Sequence, residues 1–188
     1  MSTYKVKGIL DACILYSGSG VIATTNIPFG NTFTLAPEYD TITYEGDGST
    51  EEEYVNLRLT GTIGGDKLDT DVLARMTGKT AVTSGSGIDG VESSRFYMGA
   101  AEDLTPPQVG LRVDLSAVDD TLETAKTVRL TVFKAKIKPV TPPDGSNNEK
   151  WGPVMFEWSA ERTSVDIIDA ALPGVPTGGA MYAISILS

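Results

Sequence analysis

The residues of this chain that could do chemistry are nearly all carboxylates. From Glu38 to Glu53 there are seven acids (Glu38, Asp40, Glu45, Asp47, Glu51, Glu52, Glu53) and no base. Carboxylates at this density can hold hard cations or supply a general acid and base. The run lacks the D-x-[DN]-x-[DN]-G spacing of a calcium-binding loop. A hydrolytic carboxylate pair is defined by separation in space, which spacing along the chain does not give. The stretch Glu45, Gly46, Asp47, Gly48, Ser49, Thr50, Glu51, Glu52 and Glu53 therefore reads as a solvated hairpin tip or a protein–protein contact loop. Asp66, Asp69 and Asp71 fit capping and charge complement at a helix start better than ligation. Gly85-Ser-Gly87-Ile-Asp-Gly90 has the letters of a dinucleotide loop. The following residues, Val91 to Gly99, read as strand rather than as the helix that loop must open, so it is a glycine-rich connection.

Composition narrows the chemistry further. The chain has 188 residues, no histidine and one cysteine, Cys13. Nucleophilic sites built on an imidazole need a histidine, as do histidine-ligated zinc, copper and non-haem iron sites. One cysteine makes no internal disulfide, redox pair or four-thiolate site. No catalytic residues, cofactor or resident metal are expected, and no enzyme activity. Fifteen Lys+Arg against 25 Asp+Glu give a net charge of −10, which opposes a general grip on nucleic-acid phosphate. The one concentration of positive charge is Lys126, Arg129, Lys134, Lys136 and Lys138, with no acid between its ends. It reads as a strand that pairs with acidic surface, in this chain or in a copy of it, or as a solvated face. No apolar run approaches the ~20 residues needed to span a membrane, and Asp11 interrupts the early apolar stretch, so no secretory leader is expected.

The elements that would position these residues are mostly strands. Tyr39–Tyr44 alternates, and Tyr54–Ile63 places Val55, Leu57 and Leu59 on one face. Arg95–Met98 and Val109–Leu115 repeat the style. In Thr127–Ile137, Val128, Leu130 and Val132 share a face opposite Arg129 and Thr131. From Phe133 the apolar positions change parity, which predicts a bulge or twist there. Val154–Arg162 and Met181–Leu187 complete the set. Ile22–Leu35 mixes β-branched and aromatic residues, interrupted by Pro28 and Gly30. One helix is predicted over Asp66–Met76, with Leu68, Val72, Leu73 and Met76 on a stripe, Asp66 as N-cap and Gly78 as the stop. A short second helix is expected in Ser164–Leu172. The fold class is mainly β: an antiparallel β-sandwich or barrel with one flanking α-helix, as a single domain over residues 1–188.

One wholly acidic stretch and one wholly basic strand give the molecule unlike patches, which can meet head to tail and build rings, tubes or filaments. The order of features then resembles the major tail tube proteins of long-tailed, siphovirus-type bacteriophages. The likeness runs from Gly8-Ile-Leu-Asp-Ala through Pro37-Glu-Tyr-Asp-Thr-Ile-Thr-Tyr44 and the acidic tip Tyr44-Glu-Gly-Asp-Gly48. It continues in Thr60-Gly-Thr-Ile-Gly-Gly-Asp66, a helix ending near Gly78, Arg95-Phe-Tyr-Met-Gly99, Phe133-Lys-Ala-Lys136 and Phe156-Glu-Trp-Ser-Ala-Glu-Arg-Thr163. The succession carries the resemblance; no single motif does.

That resemblance implies a virion structural protein made in the bacterial cytoplasm. Hexameric rings would stack into a tube around the tape measure protein, with terminal arms bridging subunits. Tail terminator and distal tail proteins would cap the tube, and DNA would pass through the lumen without specific binding. It further implies that the Glu45–Glu53 segment is the hairpin loop that reaches a neighbouring ring. Two other readings compete: the tube protein of a contractile injection system, and a soluble carbohydrate- or protein-binding β-sandwich. The second would want exposed aromatics on a sheet face, whereas Trp158 shares its strand face with Phe156 as a core residue does. A hydrolase using two carboxylates is disfavoured because nothing singles out a pair.

Overall fold

The computed structural model describes residues 3–18, 21–27, 30–47, 49–65, 69–79, 106–138, 154–162 and 180–187. In chain order the elements are β1 (Tyr4–Gly18), β2 (Val21–Asn26), β3 (Gly30–Phe33), β4 (Ala36–Gly46), β5 (Ser49–Gly65), α1 (Thr70–Thr77), β6 (Gln108–Asp119), β7 (Ala125–Ile137), β8 (Val154–Glu161) and β9 (Tyr182–Leu187). All strand pairs are antiparallel. The strands form one sheet in the order β2-β1-β6-β7-β8-β5-β3, with β4 added to β5 and β9 to β7. The predicted fold class, β-rich with a single helix among the described residues, is the one observed.

The sheet curls so that β3, at one end of the strand order, comes to lie against β1 near the other. The Ile27 amide donates to the Ala12 carbonyl at 2.8 Å, and the Gly30 amide to the Ile27 carbonyl at 3.1 Å. Gly30 lies so near β1 that a Cβ there would stand 2.9 Å from that of Ala12. Closure brings β3 beside β1 and encloses a core of Ile14, Leu59, Ile63, Val109, Leu111, Val113, Val132, Ile137, Phe156 and Trp158. Burying such side chains contributes about 1.5–3 kcal/mol each. Trp158 is fully buried and stacks on Phe33, ring centroids 5.8 Å apart.

α1 adds Val72, Leu73 and Met76 to this core. Its N-cap is Asp69, whose carboxylate accepts from the amides of Asp71 at 2.7 Å and Val72 at 3.2 Å. The predicted cap, Asp66, lies outside the described residues, as does Leu68. Asp69 was expected only to add charge to the first turn; an aspartate three residues nearer the buried stripe serves as the cap instead. Gly78 ends the helix at φ 71°, a left-handed value that glycine adopts without strain. The expected strand Arg95–Met98, the expected helix Ser164–Leu172 and the glycine loop 85–90 also fall outside the described residues.

Two details of register differ from simple alternation. β7 does change face where predicted: Val109 faces Ala135 while Leu111 faces Val132, so β7 carries an extra residue. The bulge follows Phe133. Phe133 stays with Cys13 and Leu15 on the outer side, whereas Ala135 and Ile137 enter the core. In β5, Asp40 faces Val55 but Glu38 faces Arg58. This bulge puts Leu57 and Leu59 on the core side and turns Val55 to the other face, contrary to the expected shared face.

Gly61 is the tightest point of the barrel. A Cβ there would stand 2.0 Å from the Thr34 carbonyl and 2.6 Å from the Trp158 ring. Gly61→Ala is expected to destabilise the fold by about 1–3 kcal/mol, or more if β3 cannot shift. A fall in the urea midpoint at unchanged m-value checks this.

Candidate functional site

β5 is a 17-residue strand with two environments. From Arg58 onward it is paired on both sides, to β8 on one edge and to β4 or β3 on the other. Before Arg58 its one partner among the described strands is β4. Tyr39–Val55 is thus a two-stranded ribbon standing off the barrel, and every residue of β4 is exposed. Gly46 pairs with Ser49, which leaves two positions for the connection, the first of them Asp47. Asp47 has φ 45°, as the first position of a type I′ hairpin turn requires. The Ser49 hydroxyl donates to the Gly46 carbonyl at 3.0 Å.

The ribbon's surface has two chemistries. Near the barrel, Tyr39, Tyr54 and Leu57 continue the core-side face outward; the two tyrosine rings meet edge to face at 4.7 Å, and all three side chains are exposed. Ile42 and Tyr44 are exposed on the opposite face. Toward the tip the residues become acidic: Glu45, Asp47, Glu51, Glu52 and Glu53. Tyr44 donates to Glu53 at 3.2 Å. At the base the Thr60 hydroxyl donates to Glu38 at 2.9 Å. Among the described residues no cluster of three or more His, Cys, Asp or Glu side chains is arranged to hold a metal ion. The tip therefore offers solvated charge rather than a closed ligand set.

The basic strand β7 is divided by its own geometry. Arg129 lies on the outer side and grips Asp114 of β6 with two hydrogen bonds of 2.8 Å, from Nε and Nη2. Next to it Arg112 stands 4.0 Å from Asp11 of β1, so opposite charges alternate across three strands. Beyond the bulge, Lys138 pairs with Glu157 at 3.1 Å, and Lys136 is exposed. Lys134 is half-buried on the same stretch. Lys126 lies on the core-side face, abreast of Ala117. Arg129 and Lys138 thus answer acids of this chain. The outer side also buries Cys13 with Leu15 and Phe133, and burial pushes the thiol's pKa up, away from the reactive thiolate.

The sequence left one large element unread. β1 runs for 15 residues from Tyr4, yet it shows no clean alternation. Register shifts between Val6 and Gly8 and between Ile9 and Asp11 break the period of two twice. Its exposed Val6 and Leu10 are visible only in the structure.

No protein-family model matches this chain, and no curated protein matches it in sequence. Among solved structures, one similar chain comes from the sheath–tube complex, in its extended state, of an extracellular contractile injection system termed PVC. The TM-score is 0.40 and the identity 15%, covering 79% of this chain and 81% of that one. At this distance the functional argument rests on the residues of the chain itself.

The Arg129–Asp114 pair gives the outer side its pH dependence. The hydrogen bonds from Arg129 hold the Asp114 carboxyl below its ordinary range. Because the folded value is depressed, the pair's stabilisation is complete above the ordinary carboxylate pKa of about 4. It is lost as pH falls through the lowered value. Asp114→Asn is expected to cost about 1–3 kcal/mol at neutral pH and to flatten the fall of stability with acid. Urea titrations of both proteins between neutral pH and strong acid check it.

Proposed function

We propose that this chain is the subunit of a phage tail tube: a structural protein that forms hexameric rings stacked around a lumen. The observation that carries this reading is the ribbon Tyr39–Val55. An isolated two-stranded hairpin is marginal in water, and this one exposes three tyrosines and Ile42 along with its acids, with the exposed Leu57 at its root. Such an arm gains its stability by lying on another surface, which is what the Glu45–Glu53 loop would do on a neighbouring ring. The resemblance of feature order to tail tube proteins supports the same reading, as does a chemistry of many acids with no imidazole.

In that role the tape measure protein fills the lumen during assembly, terminator and distal proteins close the tube's ends, and DNA leaves through it. An acidic subunit suits the passage, because a wall without a basic patch displaces no condensed counterions from a phosphate backbone and so gains no grip on it. The protein is a part of the virion tail, made in the host cytoplasm. A sheath gene beside its own would move the reading to a contractile device with the same tube chemistry.

Negative-stain electron microscopy of concentrated protein should show hollow tubes or stacked rings. Replacing Glu45–Glu53 by a short turn should abolish tube growth while leaving the far-ultraviolet circular dichroism spectrum and melting temperature nearly unchanged. A chain that stays monomeric at every concentration, with tape measure protein added, would end this reading. Normal tubes from the shortened chain would end the role given to the tip.

A further inference from the structure

The sheet face that covers the core loses its cover toward one corner. Leu130 of β7 lies abreast of Ile184 of β9, and Val128 abreast of Ile186. The β7 members are half-buried or buried, while Ile184 is 61% and Ile186 49% exposed. On the other side of the corner Val6, Ala117 and Lys126 stand in one row across β1, β6 and β7. Val6 is 54% exposed and Lys126 half-buried. The apolar interior thus continues into a surface with nothing over it among the described residues.

We propose that this corner receives the arm of a second copy: Tyr39, Tyr54 and Leu57 pack on Val6, Ile184 and Ile186, and the arm's acids lie toward Lys126. The proposal rests on the reading that the arm docks on another copy, and adds where. Three observations choose the occupant. The arm's apolar stripe and the corner are both outward continuations of the core-side face, so each carries the side chains a barrel interior would bury. Sheets pack face to face at about 10 Å, so a two-stranded ribbon can supply the missing layer over a sheet corner. The charges also match. The arm has only acids from Glu38 to Glu53, while the corner's face presents Lys126, and Lys5 and Lys7 flank it on β1. The acids nearby are Asp120, which Lys5 binds, the exposed Glu123, and Asp119. Asp119 is buried, and its carboxylate accepts from the amides of Thr121 and Leu122 in the turn. Arm and corner are different patches of one molecule, so the contact is heterologous: each copy can give its arm to one neighbour and receive the arm of another.

Two variants that are defective in opposite halves of the contact test this. Tyr39→Asp/Tyr54→Asp disables the arm and keeps the corner; Ile184→Asp/Ile186→Asp disables the corner and keeps the arm. All four side chains are exposed, so both variants should fold, as circular dichroism would verify. Neither should grow tubes alone. Mixed, they should join arm to corner once, and light scattering should read twice the mass of either particle. A second pair, Leu57→Cys and Ile186→Cys, both in a Cys13→Ala background, should give a mixed disulfide under mild oxidation. No doubling from folded variants, or no mixed disulfide, overturns the proposal. If wild-type tubes still depend on the tip in that case, the tube reading survives; doubling without wild-type tubes would overturn that reading alone.

Discussion

The rest of this structure depends on one strand being asked to do two things. β5 is buried at Leu59 and Ile63 and exposed from Ser49 to Tyr54, with a bulge between the two halves. Inside the barrel its amides and carbonyls are satisfied on both edges, and its side chains meet Trp158 and Phe156. Outside, β4 alone satisfies it, on one edge. The barrel holds the root of the arm, where Arg58–Thr60 pair with both β4 and β8, and a bulge separates that root from the ribbon beyond. The Gly61–Trp158–Phe33 contact anchors the inner half, so a glycine with no room for a Cβ lies at the root of an element whose β4 strand is exposed throughout. Whatever the arm touches is therefore met by a ribbon whose root is already held, and the ordering cost of that contact is partly met by folding.

How much of this was legible in the sequence follows from how closely each element keeps its period. β7 was readable because Val128, Leu130 and Val132 alternate with Arg129 and Thr131, and even its bulge showed as a change of parity at Phe133. Val55 was misplaced because the bulge in β5 falls where Asn56 and Leu57 give no sign of it; the shift exists only in the pairing with Glu38 and Asp40. β1 went unread for the same reason twice over. Bulges are corrections that the closing of a barrel demands, and their positions are set by neighbouring strands that the local sequence does not contain. The helix kept its stripe and its glycine stop, but the choice between two capping aspartates was made by where Val72 and Met76 must sit to reach the core.

The site was legible in its charge and illegible in its apolar half. Glu45–Glu53 announces itself by composition, and its place on a hairpin tip follows from the flanking strands. Tyr39, Tyr54 and Leu57 look like ordinary strand residues, since alternation says which side chains share a face and not whether anything covers that face. Ile184 and Ile186 have the same ambiguity: in sequence they close a sheet, and in space they stand at a corner that none of the described residues covers. Arg129 shows the converse. It belongs to a conspicuous basic run, but its guanidinium is committed to Asp114 within the fold, so the run is a weaker acceptor of foreign acids than its letters suggest.

The division of labour between charge and apolar surface can be argued from the counts. The stretch from Glu38 to Glu53 holds seven of the 25 acids and none of the 15 bases, leaving 18 acids against 15 bases elsewhere. Most of the net charge of −10 therefore sits on the arm, and the body is close to balance. Copies of such a molecule repel through their arms at long range, with a reach of about 8 Å at physiological salt, and body-to-body approach is nearly unopposed. Solvated charges add little affinity once in contact, so the attraction that holds an arm must come from its tyrosines and Leu57 leaving water. The acids then act by exclusion. In the proposed assembly they would penalise any orientation that brings arm to arm and spare the one that brings arm to lysine, which would make direction an electrostatic choice and strength an apolar one.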